Sequence, residues 1–132
     1  MGNAVASSGV AAALLRQTES LARAVTEALY SERPELQDKY GLSGRDKCLQ
    51  DMRHNIEHIA AAVDLGAPEI FRDYTTWLNG LLRARHVATD ELLLSFQLME
   101  SIVKSSFAKS ESEPIILVLQ AGITSLGREA AP

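Results

Sequence analysis

The side chains best suited to chemistry lie within residues 43–103, which hold all three histidines, the only tryptophan and the only cysteine. His54 and His58 are four residues apart and Asp51 lies one turn earlier, so a helix would place all three on one face. Two imidazoles at this spacing can chelate a metal ion, but the zinc-protease pattern needs a glutamate where this chain has Asn55. The sequence therefore predicts no metal site, and we expect these histidines to hydrogen-bond to neighbouring helices.

Two aromatic residues follow in the next predicted helix. Trp77 lies one turn after Tyr74, and a lone tryptophan on an amphipathic helix usually packs in the core with one partner for its N–H. The alternative is a pocket for a flat conjugated ligand, lined by Tyr74, Trp77 and a histidine of the preceding helix, either His54 or His58. Arg85 could then bind a ligand propionate or phosphate through two hydrogen bonds.

Cys48 and Arg83 complete the set of candidates. Cys48 falls on the apolar side of its predicted helix, where a free cysteine commonly acts as a small hydrophobic residue. His54 is poorly placed to activate this thiol, because six residues separate the two by well over half a turn. Arg83, like Arg85, could hold an anionic group or be a solvated residue at a helix C-terminus. No serine triad, phosphate loop or carboxylate pair is recognised, so we expect no enzyme.

Size and charge set limits on the class of protein. A chain of 132 residues makes one domain, and its 46% apolar and 23% charged residues are close to the globular average. The net charge of −4 argues against a nucleic-acid partner. A single cysteine excludes an intrachain disulfide, and the apolar run near the N-terminus is too short to span a bilayer. We therefore expect a cytoplasmic protein with no membrane partner.

Apolar residues that recur every three or four positions predict an all-α fold. Pro34 and Pro68 suit first helical turns, Gly41 and Gly66 suit helix ends, and Ser43 and Thr89 suit N-caps. Residues 89–107 are apolar around most of the helix, so we expect that helix to be central. One domain over residues 10–127 should have flexible ends at 1–9 and 128–132. Long helices are predicted over 10–30, 43–65, 68–86, 89–107 and 113–126, with a short connector or lid over 34–41.

The middle half of the chain also resembles a known family. RDKC, HNIEHIAAAVDLGAP and DYTTWLNGLLRARHV, followed by a leucine-rich helix, are similar to the helical domain that precedes cobalamin-binding domains in bacterial signalling proteins. That domain has been described as photoglobin, a non-haem relative of the globins. The resemblance rests on scattered positions, which are Cys48, Asp51, His54, Phe71, Asp73, Tyr74, Trp77, Leu78, Leu82 and Arg85.

The resemblance implies a globin-like bundle of about five long helices plus one short connector helix. It also implies a sensor that relays a signal rather than an enzyme, with a pocket for a tetrapyrrole-type ligand in place of haem. Because no cobalamin-binding domain follows in these 132 residues, we expect a stand-alone sensor or one partnered with a separate signalling protein.

We therefore expect a non-enzymatic sensor whose apolar pocket, between the helix of His54 and the helix of Trp77, binds a tetrapyrrole-type or other hydrophobic ligand. One alternative is a haem globin with His54, His58 or His86 as axial ligand. A second is a bilin carrier that attaches its pigment through Cys48. A third is a structural module whose apolar helix faces form a homodimer.

Overall fold

The structure, a computed structural model, describes residues 2–130, with side chains from Gly9 to Glu129. Every regular element in this range is an α-helix and none is a strand, so the predicted all-α fold is confirmed. The helices are α1 (Gly2–Arg16), α2 (Thr18–Glu32), α3 (Glu35–Leu65), α4 (Pro68–Ala84), α5 (Thr89–Ser106) and α6 (Lys109–Ala130).

A bend at Gln17 divides the first predicted helix into α1 and α2. Gln17 has φ −104° and ψ 10°, and the hydroxyl groups of Thr18 and Ser20 each donate to a backbone carbonyl three residues earlier. Hydroxyl groups that bond back to the preceding turn commonly bend helices. The prediction of one long first helix is therefore wrong. The apolar spacing carries no sign of the bend, because Leu14 and Leu21 are buried on either side of it.

The short connector predicted over residues 34–41 is present as the first part of α3. It begins after Pro34 and ends at Gly41, whose φ of 71° and ψ of −170° interrupt the helix. A positive φ of this kind is tolerated by glycine and strained for other residues. Residues 35–40 therefore form a separate helical turn, joined through Gly41 to the long part of α3, residues 42–65.

The predicted helix ends are right at Gly66 and wrong at two N-caps. Gly66 has φ 62°, and the N–H of Ala67 donates to the Ala62 carbonyl at 2.9 Å, which closes α3 as the sequence predicts. Ser43 lies inside the helical segment that begins at residue 42. Thr89 lies in the first turn of α5 with its hydroxyl turned away from the helix backbone to Asn79.

The first and last helices extend beyond their predicted outer ends. The helix of α1 begins at Gly2 rather than Val10, and α6 runs past Leu126 to Ala130. Pro114 lies inside α6, in its second turn, rather than at its start. Flexibility of the two ends stays a prediction, and residues 1, 131 and 132 lie outside the described part of the chain.

The core is centred on α3 and α6. Helix α3 contacts α1, α2, α4 and α6, and α6 contacts α1, α3, α4 and α5. The prediction that α5 is the central helix is wrong because Leu93, Leu94 and Leu98 are only half-buried at its outer side. The largest fully buried side chains are Phe71, Phe96, Leu14, Ile56, Ile59 and Met99.

Helices α4 and α6 cross at very short range. At Gly122 of α6, a Cβ atom would lie 2.6 Å from Cε2 of Phe71 and 2.8 Å from Oγ1 of Thr75. Phe71 is fully buried and packs against Phe96 of α5 with ring centroids 5.3 Å apart. The absence of a side chain at Gly122 therefore sets how closely α4 approaches α6.

Gly122→Ala should destabilise the protein by about 1–3 kcal/mol, because the new methyl group overpacks a crossing that cannot relax without moving Phe71. Urea unfolding followed by circular dichroism measures this change. The matched control is Gly127→Ala on the same helix, where nothing lies within 4 Å of the added Cβ. That control should raise stability by about 0.5–1 kcal/mol, and equal stability of the two variants would contradict the close crossing.

Candidate functional site

A cavity of about 210 Å³, partly open to solvent, lies among α2, α3, α4 and α5. Its volume falls between an apolar cavity of roughly 150 Å³ that takes benzene and the ~300 Å³ at which drug-sized pockets begin. It therefore suits a compact molecule. Most of its wall is apolar, formed by Leu29, Leu36, Met52, Leu78, Leu82 and Leu92.

The α3 wall of the cavity supplies Asp51 and Asn55, which are placed one turn apart on the same helix face. Asn55 is fully buried, and its Oδ1 accepts a hydrogen bond of 2.7 Å from the Tyr74 hydroxyl. Burial raises the pKa of the Asp51 carboxyl, and the positive charges of Lys47 and Arg85 oppose that rise. The cavity thus has a small polar region on an otherwise apolar wall, where a ligand polar group could bind.

Cys48 lies one turn before Met52 on the same wall. Its Sγ is 4.0 Å from the Thr26 hydroxyl oxygen, and burial raises the pKa of the thiol to about 11 despite that hydrogen bond. Because the thiolate is the nucleophile, this thiol is un-ionised and weakly reactive at neutral pH. Covalent attachment of a bilin through Cys48 has no support from this environment.

The α5 wall carries a buried carboxylate, Glu91, which is 7% exposed. One of its oxygens accepts a hydrogen bond of 2.9 Å from the Tyr40 hydroxyl, and the other accepts one of 3.2 Å from Nζ of Lys39. Buried charges are tolerated when they are paired and hydrogen-bonded. Glu91 therefore joins α5 to the short helix of residues 35–40.

The structure divides the predicted ligand residues into two groups. Cys48 and Arg85 line the cavity, whereas His54, His58, Tyr74 and Trp77 are absent from its wall. Tyr74 reaches the cavity only through its hydrogen bond to a wall residue, and Arg83 and His86 line a separate, shallow surface depression. The cavity shares α3 and α4 with the predicted pocket, but α2 and α5 complete its wall and none of the predicted aromatic residues lines it.

His58, Tyr74 and Trp77 form an aromatic cluster on the outer side of α3 and α4. The His58 ring stacks on Tyr74 with centroids 3.8 Å apart, and its Nδ1–H donates to the His54 carbonyl at 2.8 Å. Trp77 is 61% exposed, with its ring centroid 6.0 Å from that of Tyr74. The expectation of a core tryptophan is wrong because Trp77 lies about 130° around α4 from the buried stripe, which consists of Phe71, Thr75, Leu78 and Leu82.

Histidine ligation has little basis in this arrangement. His54, His58 and His86 are all exposed and none lines the cavity, so an axial haem ligand would have to come from outside the wall. Within residues 2–130, no three His, Cys, Asp or Glu side chains cluster closely enough to hold a metal ion. In the same range, no helix is both long and apolar enough to cross a bilayer.

Glu91 and Asn55 line the cavity, although neither was among the predicted site residues. The helical spacing could have indicated both as buried polar residues. Glu91 shares a helix face with Ser95 and Met99, and Asn55 lies between the buried Met52 and Ile56. Polar residues on such stripes are buried with a partner. Comparison of the chain with protein-family models gives no match, and comparison with curated proteins gives none.

The environment of Cys48 predicts an unusual titration of the thiol. In the folded protein the thiolate absorbance should rise with a midpoint near pH 11, against about 8.5 in the urea-unfolded chain. Because the folded pKa is the higher one, the neutral thiol stabilises the fold fully below about pH 8.5, and this contribution is lost as the pH rises through 11.

The control for this titration is Cys48→Ser, which gives the background from the three tyrosines. Subtracting its absorbance leaves the signal of the single thiol. A midpoint near the unfolded value in the folded protein would contradict the buried environment described for Cys48.

Proposed function

We propose that this chain is a non-enzymatic sensor or regulatory domain that binds a compact hydrophobic molecule in the cavity among α2, α3, α4 and α5. The observation that carries the proposal is the cavity itself, an apolar space with a few polar groups on its wall. Such spaces are ordinary small-molecule sites. A single free cysteine, Cys48, is compatible with the reducing cytoplasm, where we place the protein.

The position of the cavity supports a relay by helix repacking. Its wall includes residues of four helices, so a ligand there contacts α2, α3, α4 and α5 at once. A ligand shifts a protein between two packings only as far as its affinity for them differs. We propose that occupancy favours one arrangement of α4 relative to α5 and α2, and that a partner protein reads the altered surface.

The size of the cavity constrains the ligand. A tetrapyrrole has four linked five-membered rings and is larger than a space of about 210 Å³, so it would bind only if the helices separated. A single ring or a short branched chain fits the space as it is, with one polar group directed to Asp51, Asn55 or Arg85. We therefore favour a compact ligand over a bilin or haem.

The resemblance to photoglobin supports the sensor role and a globin-like arrangement of the helices. On that basis the partner would be a signalling protein that carries a cobalamin-binding domain. We also propose that the sensor acts as a homodimer through its apolar helix faces. The six helices, with a bend at Gly41, are compatible with this arrangement and with a simpler antiparallel bundle.

Binding of a compact probe tests the proposal. Fluorobenzene and indole should raise the unfolding free energy by about 2.7 kcal/mol at a concentration about 100 times Kd, and ¹⁹F NMR should detect bound fluorobenzene. Leu82→Trp fills the cavity and should abolish both effects, with Met52→Phe as a second, smaller filling. Leu117→Trp is the matched control, because Leu117 is 65% exposed on α6.

The outcomes of this test separate the ligand classes. Failure of both probes, together with a specific absorption band on reconstitution with biliverdin or haem, would replace the compact ligand with a tetrapyrrole. Failure of every compound would overturn ligand binding. Binding without a change in oligomeric state or helix packing, measured by small-angle scattering, would contradict the sensor role.

The exposed aromatic cluster favours a second candidate function, a helical interaction module. Trp77 stands 61% exposed on the outer face of α4, beside the stacked pair of His58 and Tyr74. Tryptophan and tyrosine are enriched at the centres of protein interfaces. This function requires no ligand, and it competes with the sensor proposal only if the cavity binds nothing.

Sedimentation equilibrium tests the interaction surface. If the aromatic cluster forms a homodimer, Trp77→Glu should weaken the dimer by roughly thirtyfold or more, as removal of an interface hot spot does. Leu117→Glu places the same charge on an exposed apolar site of α6 and should leave the dimer unchanged. A protein that remains monomeric at high concentration would contradict this function.

A further inference from the structure

Residues 35–40 cover one side of the cavity. Leu36 and Tyr40 of this short helix both contribute to the cavity wall. Of its six residues only Leu36 is fully buried, whereas Glu35, Asp38 and Lys39 are exposed. The cover over the cavity is therefore held by a small number of buried contacts. Segments of this kind open at a lower free energy than the whole fold.

The side-chain hydrogen bonds of this short helix go mainly to one carboxylate. Glu91 of α5 accepts hydrogen bonds from the Tyr40 hydroxyl at 2.9 Å and from Lys39 Nζ at 3.2 Å. The Tyr40 hydroxyl is also 3.5 Å from the His86 carbonyl, after the end of α4. Both donors to Glu91 thus come from adjacent residues at the end of the short helix, next to the bend at Gly41.

Two glycines shape this segment. Gly41 forms the bend, and Gly44 leaves room for the Tyr40 side chain. Gly41 has the positive φ of 71° that lets the short helix turn back over the cavity. At Gly44, one turn after Tyr40, a Cβ would lie 2.3 Å from the Tyr40 Cβ. The Tyr40 side chain therefore occupies space that is free only because residue 44 is glycine.

We propose that residues 35–40 are a lid that controls access to the cavity, latched by the hydrogen bonds of Tyr40 and Lys39 to Glu91 and hinged at Gly41. The role of the lid rests on the proposed function, since it regulates the same ligand site. Opening breaks the bonds to Glu91 and withdraws Leu36 and Tyr40, while the helices beneath stay packed.

Cys48, the only thiol, reports lid opening without any ligand. Its side chain packs against the cluster of Leu29, Tyr30 and Leu36, as does that of Tyr40. Because Cys48 is partly buried, reaction with 5,5′-dithiobis(2-nitrobenzoate) under native conditions has a basal rate, which lid opening increases. Tyr40→Phe removes one hydrogen bond to a charged group and should accelerate the labelling by about tenfold or more. Lys39→Met should accelerate it to a lesser extent, because Lys39 is exposed.

The control is Arg53→Gln. Arg53 lies on α3, as Cys48 does, and its ion pair of 2.7 Å with Glu19 of α2 is away from the lid. The labelling rate of this variant should equal that of the wild type. The urea dependence of the labelling rate separates lid opening from global unfolding, since opening of six residues exposes little surface and the rate should respond only weakly to urea. Gly44→Ala is a second lid variant, which should accelerate labelling by displacing Tyr40 while every bonding group remains.

Labelling of Tyr40→Phe and Gly44→Ala at the wild-type rate would overturn the lid. Faster labelling with the steep urea dependence of global unfolding would overturn it as well. If fluorobenzene binds, its exchange rate in ¹⁹F spectra should rise in Tyr40→Phe by the same factor as the labelling rate. Faster labelling in a protein that binds no compact probe would leave the lid standing and remove the proposed function.

Discussion

The close crossing of α4 and α6 is the constraint on which the rest of the structure depends. Because Gly122 has no side chain, Phe71 and Thr75 of α4 lie directly against α6. Phe71 then reaches Phe96 in the centre of the molecule. With α4 drawn towards α6, its contact with α5 is slight, and the space that remains between them, closed by α2 and α3, is the cavity.

Buried polar groups fix the walls of this space. Asn55 is held by Tyr74, and Asn79 links α4 to Thr89 of α5 and to Glu129 of α6. Paired groups of this kind keep a single arrangement, since an unpaired buried group costs about 1–3 kcal/mol. The buried side-chain oxygen of Thr75 has no partner among the described residues, and it lies at the crossing, where close packing outweighs its hydrogen bond.

Periodicity predicted the helices well because apolar spacing and turn residues are local properties of the chain. Gly66 and Pro68 marked their turn correctly, and two of the predicted site residues, Cys48 and Arg85, line the cavity. The bend at Gln17 was missed because it leaves the apolar spacing intact. Trp77 was misplaced because a broad apolar face does not show which part of it meets the core. The position of the cavity depends on helix crossing angles, which periodicity does not determine.

The cavity favours the proposed sensor over a structural module. An apolar cavity of about 210 Å³ lowers stability by at most about 5 kcal/mol, at ~24 cal/mol per Å³, and by less where it is open to solvent. That is a large fraction of the ~5–15 kcal/mol that stabilises a typical domain. A bundle that served only as a scaffold would be more stable with this space filled, for example by a leucine at Ser95. The cavity, the polar groups on its wall and the weakly held cover therefore support the proposed ligand site more than dimerisation alone.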